Sequence, residues 1–247
     1  MKLLIQRILQ KILGFNAYLN LFSAFKIFTL KWDKKENDFF LLLKLIPPGS
    51  LVLDIGANIG IMTYYLAHAV GKSGKVYSFE PHPDNYKVLN QSAKRFNLKN
   101  VSTFAYGLGE KPEVRELIMP VVKNVKMQGL SYISDPAKKS EQGTKYSVKI
   151  DALDNIHDIF NSSLPLEAIK IDVENFEYLV LKGAEKTISK FKPIIYCELW
   201  ENENRENSIN FLASLGYKTM VSGKEGLIDY TDQKKQNFFF IPKENPV

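Results

Sequence analysis

The sequence predicts an α/β fold, a doubly wound and mostly parallel sheet with helices on both faces. Three observations carry that expectation. The apolar run Leu51–Ile55 ends in a glycine-rich turn from Gly56 to Gly60, helical spacing follows, and a second apolar run, Val76–Phe79, ends in Glu80. Strand-like and helix-like segments then alternate as far as Glu198, and two more strand-like runs follow Gly216. With 247 residues, 45% hydrophobic and 24% charged, the chain can bury one substantial core plus an appendage.

In chain order, the first strand covers 51–55 and leads into a helix over 60–70 with Ile61, Tyr65, Leu66 and Ala69 on one face. A second strand at 75–79 precedes a helix over 83–97 that turns Tyr86, Leu89, Ala93 and Phe96 toward the sheet. The third strand is Val101–Ala105. Glu113–Met119 reads as an added strand able to pair with Lys145–Ile150 across a long polar segment. That segment, Val121–Thr144, has neither the helical nor the strand period and is expected to be a mobile loop, either a lid over the substrate or simple disorder. A fourth strand at 168–172, a helix over 175–190 and a fifth strand at 193–199 restore the alternation. A helix over 204–215, stopped by Gly216, precedes the strand-like Tyr217–Val221 and Asn237–Ile241.

The chemistry gathers at the ends of the first two strands. Gly56-x-x-x-Gly60 lacks the spacing of a dinucleotide site, so a nucleoside ligand without a pyrophosphate fits better, with the two glycines letting backbone approach it. Glu80 is placed to accept from both hydroxyls of a ribose, because an ionised carboxylate offers two acceptor oxygens. Asp54 falls beside the turn.

Asp54-Ile-Gly-Ala-Asn-Ile-Gly60 together with Phe79-Glu-Pro81 resembles the cofactor site of class I S-adenosylmethionine-dependent methyltransferases. Ile169-Lys-Ile-Asp-Val-Glu-Asn-Phe-Glu177, continued by Val180-Leu-Lys-Gly-Ala184, is similar to the hallmark of the FkbM family, whose members methylate hydroxyl oxygens, often on sugars and polyketide products. The resemblance covers roughly residues 45–242. It implies a Rossmann-like, seven-stranded sheet with an antiparallel last strand, in which the end of the third strand contributes to an adenine pocket. It also implies that Asp54, Gly56, Ala57, Asn58, Gly60, Glu80, Pro81, His82 and Asp172 surround S-adenosyl-L-methionine. Where the family pattern has glycine, this chain has Asn175, the next best residue for a left-handed turn.

The acceptor implied is a small-molecule or glycan hydroxyl. Its proton needs a base, and the carboxylates at the strand ends, Asp172, Glu198 and Glu174, are the candidates. Asp172 has the alternative of orienting the methionine portion of the cofactor, and Glu174 that of capping a helix beginning near Asn175. Asp172 and Glu198 could share a divalent ion, but two acids without further ligands do not predict a metal. A nicotinamide-dependent oxidoreductase is the competing enzyme class, disfavoured by the glycine spacing, and a noncatalytic binding module is the third reading. No nucleic-acid partner is expected, since the Asn/Asp-Pro-Pro-aromatic tetrapeptide is absent after the fourth strand and no basic stripe interleaves with aromatics.

The net charge of +6 is spread along the chain and assigns no partner by itself. The single cysteine, Cys197, excludes an intrachain disulfide and a cysteine–histidine zinc site, and its strand-like flanks make it a buried small hydrophobe. His82 is read as structural or cofactor-lining, His157 as surface or packing, and His68 as facing outward. Residues 1–44 form a helical appendage to a catalytic domain at 45–247. Residues 1–13 are basic and apolar at helical spacing without a small-residue cleavage site, and Asn16, Asn20, Ser23 and Lys26 make 12–30 too polar for a membrane span. The appendage therefore packs on the catalytic domain or on a second subunit of a homo-oligomer, or it lies in a membrane interface with Arg7 and Lys11 near anionic headgroups. A cytoplasmic location is expected, peripheral to the membrane in the second case.

Overall fold

The computed structural model describes residues 2–134 and 143–243. Three helices come first: α1 (Lys2–Leu13), α2 (Phe15–Thr29) and α3 (Asn37–Leu45). The first winding follows as β1 (Leu51–Ile55), α4 (Ile61–Val70), β2 (Lys75–Phe79), α5 (Pro83–Arg95) and β3 (Val101–Phe104). An insertion then contributes β4 (Gly107–Leu108), β5 (Glu113–Met119), β6 (Val121–Val122), β7 (Val125–Lys126), β8 (Tyr132–Ile133) and β9 (Thr144–Asp151). The second winding runs through α6 (His157–Phe160), β10 (Leu166–Ile171), α7 (Glu177–Lys182), α8 (Glu185–Phe191) and β11 (Ile194–Glu198). Last come α9 (Glu203–Ser214), β12 (Tyr217–Ser222), β13 (Leu227–Asp229) and β14 (Asn237–Pro242).

The main sheet has the order β13-β12-β14-β11-β10-β1-β2-β3. Strands β3, β2, β1, β10 and β11 pair in parallel, while β14 lies antiparallel between β11 and β12. The seven expected strands are all present, and the short β13 adds an eighth at the edge. Every residue of β1 is buried, which explains why its sequence is apolar without alternation: both of its faces are covered. On one face Leu53, Ile55, Phe79, Ile169, Ile171 and Phe240 form a core. On the other, Val52, Leu66, Val76, Ala168 and Tyr196 pack with Phe39 and Leu42 of α3, so the appendage shares its core with the sheet.

Several expected faces and bounds shift. In α4 the buried residues are Thr63, Leu66, Ala67 and Val70, and Ile61, Tyr65 and Ala69 are only half-buried. Thr63 is drawn inward because its hydroxyl donates to Asp54 Oδ2 at 2.6 Å. In α5 the buried set is Asn85, Val88, Leu89 and Ser92, with Tyr86, Ala93 and Phe96 half-buried. This rotation follows from α2, whose Ser23 Oγ donates to Ile59 O at 2.9 Å and lies 3.0 Å from Ser92 Oγ. The helix expected over 175–190 starts at Glu177 and breaks at Gly183. A Cβ on Gly183 would sit 1.8 Å from Gly109 O, so the chain here is held against the insertion.

The insertion is more ordered than a loop. β5 and β9 pair antiparallel from Glu113↔Ile150 to Met119↔Thr144, as the sequence predicts, and β8 extends this sheet on the other side of β5. Between them β6 and β7 form a two-stranded ribbon. The mobile-loop expectation for 121–144 is thus corrected for 121–134, and 135–142 lie outside the described residues. Strands of two residues are too short to show a period in sequence.

Candidate functional site

The chain leaves β1 on one side toward β2 and β3 and returns on the other through β10 and β11, so the ends of β1 and β10 flank a crevice. A pocket opens there. Its floor is Ile55, Gly56 and Asn58 after β1, with Phe79, Glu80 and Pro81 after β2 and Asp172–Glu174 after β10. The insertion closes the far side through Gln128, Gly129, Ser131, Tyr132 and Ile133. Gly107 and Leu108 of β4 line it as well, in place of the end of β3.

Glu80 is almost fully buried. Its two oxygens are fixed by backbone donors, Asn58 N to Oε2 and His82 N to Oε1, each at 2.8 Å. The Asn85 side chain also hydrogen-bonds this carboxylate. Burial pushes its pKa up to about 7 despite these hydrogen bonds and the nearby Lys170. On the same wall, the side-chain oxygens of Asn58 and Asn85 are buried without a partner among the described residues. Unsatisfied acceptors of this kind are costly unless a ligand supplies donors.

Asp54, Ala57, Gly60, His82 and Glu198 do not line the pocket. Asp54 is fully buried, bonded to Thr63 and 3.3 Å from Lys170 Nζ. Lys170 also donates to Gly56 O at 3.0 Å and stands 3.6 Å from Asp172 Oδ2. Burial opposes the lysine's charge, but Asp54 and Asp172 outweigh it and hold its pKa above the ordinary value. One buried cation therefore ties the β1 turn to the end of β10. The sequence reading passed over Lys170, although a lone lysine in an apolar strand is the signal that marks it.

Packing within the protein also requires the glycines. Gly56 has φ +78°, and a Cβ there would lie 1.9 Å from Asp172 O. At Gly60, φ +82°, a Cβ would meet Leu89 Cδ1 at 2.9 Å. Both let the turn pack against protein, against the end of β10 and against α5.

His82 is buried and caps α5 through Nδ1, which accepts from Asp84 N at 3.2 Å. Burial lowers its pKa to about 4, so the ring is neutral as the cap requires. His68 and His157 are exposed.

After β10 the chain takes two left-handed residues, Glu174 (φ +54°) and Asn175 (φ +71°). Asn175 thus adopts the conformation expected of the family's glycine, and its side-chain oxygen accepts from Asn202 Nδ2 at 2.6 Å. Glu174 does not cap a helix, because α7 begins two residues beyond Asn175. Phe176 occupies the cap position without a side-chain bond, and Glu177, the first residue of α7, folds back onto the preceding turn to accept from Val173 N at 3.3 Å and Asn175 N at 3.1 Å. Glu174 instead lines the pocket, its pKa raised to about 8 by burial and by Asp172, Glu198 and Glu177. Glu177 and Glu198 are each pushed up to about 7, chiefly by burial. Glu36 of the appendage joins this acidic group, its pKa raised by burial and in part by Asp172. Cys197 is fully buried in β11 and burial lifts its thiol well above the usual range. No cluster of three or more metal-capable side chains occurs among the described residues.

A doubly wound sheet with β14 between β11 and β12, and a pocket over β1, β2 and β10, is the architecture of Rossmann-like methyltransferases. The methyltransferase FkbM domain model matches residues 54–219, and the chain belongs to that family. The fold is similar to that of methyltransferase FkbM from Methylobacillus flagellatus KT, with a TM-score of 0.52 and 19% identity over 78% of this chain and 44% of that one. Among curated proteins, it is 25% identical over 179 residues to methyltransferase sdnD of Sordaria araneosa, covering 63% of this chain and 68% of that protein. It is 39% identical over 66 residues to the catalytic subunit of a tRNA (adenine(58)-N(1))-methyltransferase of Yarrowia lipolytica, 27% of this chain and 17% of that one.

Proposed function

We propose that this chain uses S-adenosyl-L-methionine to methylate a hydroxyl oxygen on a sugar, glycan or other small molecule. The observation that carries the reading is the pairing of an anchored Glu80, flanked by the unpartnered oxygens of Asn58 and Asn85, with the carboxylates of Asp172 and Glu174 across one pocket. The first group suits a nucleoside's hydroxyl and amino donors, and the second suits a cation. When bound, the cofactor supplies an electrophilic methyl carbon, which leaves the protein to position the acceptor and exclude water.

Glu80 would hold the ribose, and Asp172 would face the methionine portion. Glu174 is the carboxylate best suited to take the acceptor's proton, because it lies on the pocket wall and its pKa of about 8 is near working pH. Glu198, outside the lining, would act on it through charge. The insertion wall from Gln128 to Ile133 would contact the acceptor.

Calorimetric titration with S-adenosylmethionine and with NAD, followed by S-adenosylhomocysteine release on hydroxylated saccharides, tests this. Binding of the methyl donor and turnover with a hydroxyl acceptor are expected. Binding of NAD alone would return the oxidoreductase reading, and donor binding without turnover on any acceptor the noncatalytic one.

A further inference from the structure

The helices α1 and α2 carry apolar side chains on their outward faces as well as on the faces that pack against the protein, where Tyr18, Leu19 and Ile27 are buried. In α1 the half-buried side carries Leu3, Gln6, Leu9 and Gln10, and Gln10 is held by Lys126 of β7 through reciprocal hydrogen bonds of 3.1 Å, side-chain Nε2 to O and N to Oε1. Its apolar stripe faces outward: Leu4, Ile5, Ile8 and Ile12 are 47–74% exposed. In α2 and the turn after it, Leu21, Phe25, Phe28 and Trp32 follow at helical spacing and are 57–68% exposed. Eight large apolar side chains on two adjoining helices exceed the scatter of single exposed hydrophobes normal for a soluble surface.

The charge on this region has one sign. Residues 1–32 contain Lys2, Arg7, Lys11, Lys26 and Lys31 and no acid. Arg7, Lys11 and Lys31 are exposed beside the stripes. Lys31 Nζ lies 4.4 Å from the Trp32 ring centroid and 5.8 Å from that of Phe28, and those rings meet edge-on at 5.5 Å. Aromatic rings joined to cations in this way suit a boundary between hydrocarbon and charged headgroups. A second copy of the chain is a poorer occupant, since a two-fold contact would bring two acid-free, cationic faces together. No described helix is long and apolar enough to cross a membrane, so the face would lie on the surface.

We infer that the outward faces of α1 and α2 dock the protein on an anionic lipid bilayer, the apolar stripes entering the interface and Arg7, Lys11 and Lys31 meeting the headgroups. The opposite side of α1 touches the insertion, because the ribbon clasped by Gln10 leads into the pocket-wall segment at Gln128.

The test is cosedimentation of the full chain with vesicles of phosphatidylcholine alone and of phosphatidylcholine mixed with phosphatidylglycerol. Retention is expected on the mixed vesicles only, and it should fall with added salt. The variant R7Q/K11Q/K31Q should lower the partition coefficient by about a hundredfold, at several-fold per cation. F25S/F28S/W32S should abolish retention while leaving the thermal melt unchanged, because these side chains are exposed. Absence of retention on either vesicle overturns the inference, as does equal retention on both. So does a dimer in sedimentation velocity that F25S/F28S/W32S dissociates without any vesicle binding, which would assign the face to a second copy.

Discussion

The two carboxylate-bearing strand ends of the pocket are built in opposite ways. At the end of β2, Glu80 accepts two backbone N–H groups, so its position is fixed by the chain itself. At the neighbouring ends of β10 and β11, Asp172, Glu174, Glu177 and Glu198 crowd together, with Glu174 in a left-handed conformation and its pKa near 8. Hydrogen-bonded anchoring favours a group that must hold a ligand in one place. Burial raises the pKa at both ends, and like-charge crowding raises it further at Glu174, to about 8 against about 7 for Glu80. The difference separates a holding half from a reactive half, and Lys170 is the joint between them.

Removing that joint should have the largest effect. Lys170→Met leaves Asp54 buried and unpaired, which is expected to cost about 3–5 kcal/mol in a urea melt. The double variant Lys170→Met/Asp54→Asn should recover much of it. If the single variant melts like the parent, the two halves are not joined through this lysine.

Glu174→Gln comes next, and it acts on the reactive half alone. Turnover should fall by about a hundredfold with little change in cofactor affinity at low pH. In the parent, the folded pKa of about 8 stands above the ordinary 4.5, so the folded protein holds a proton that the unfolded chain has released. Stability should therefore decline as pH rises from about 4.5 to 8, with Glu80, Glu177 and Glu198 adding to the slope up to about 7. The variant should flatten the upper part of that decline, measured by melts across pH. An unchanged slope and unchanged turnover would remove Glu174 from the proposed chemistry.

Glu80→Gln tests the holding half and should be the mildest. One backbone donor faces an amide N–H₂ instead of an oxygen, and the ribose loses a charged acceptor. Loss of about tenfold in donor affinity is expected, at roughly 1.5 kcal/mol, with kcat less affected than KM. A kcat loss equal to that of Glu174→Gln would erase the distinction between the two ends.

Much of this was legible in the sequence because the first winding obeys local rules: β1 and β2 are short apolar runs, each ending in or followed by an acid, and the turn between β1 and α4 is marked by two glycines. What escaped reading depended on contacts between distant segments. The faces of α4 and α5 shift because Thr63 and Ser92 have polar partners inside, and hydrophobic spacing cannot register those. Glu177 replaces Glu174 at the start of α7 because the chain spends two residues in left-handed turns that only the backbone reveals. The break at Gly183 depends on Gly109, seventy-odd residues away in sequence. The pocket wall at Gln128–Ile133 is made of pieces too short for any period.

The burial of Cys197 has a practical consequence. With the chain's one thiol shut inside β11 and its ionisation suppressed, maleimide reagents meet no competing target in the folded protein. A cysteine introduced at an outward position of α1, or on the insertion wall, becomes the sole attachment point for a dye, and each can report its surroundings separately.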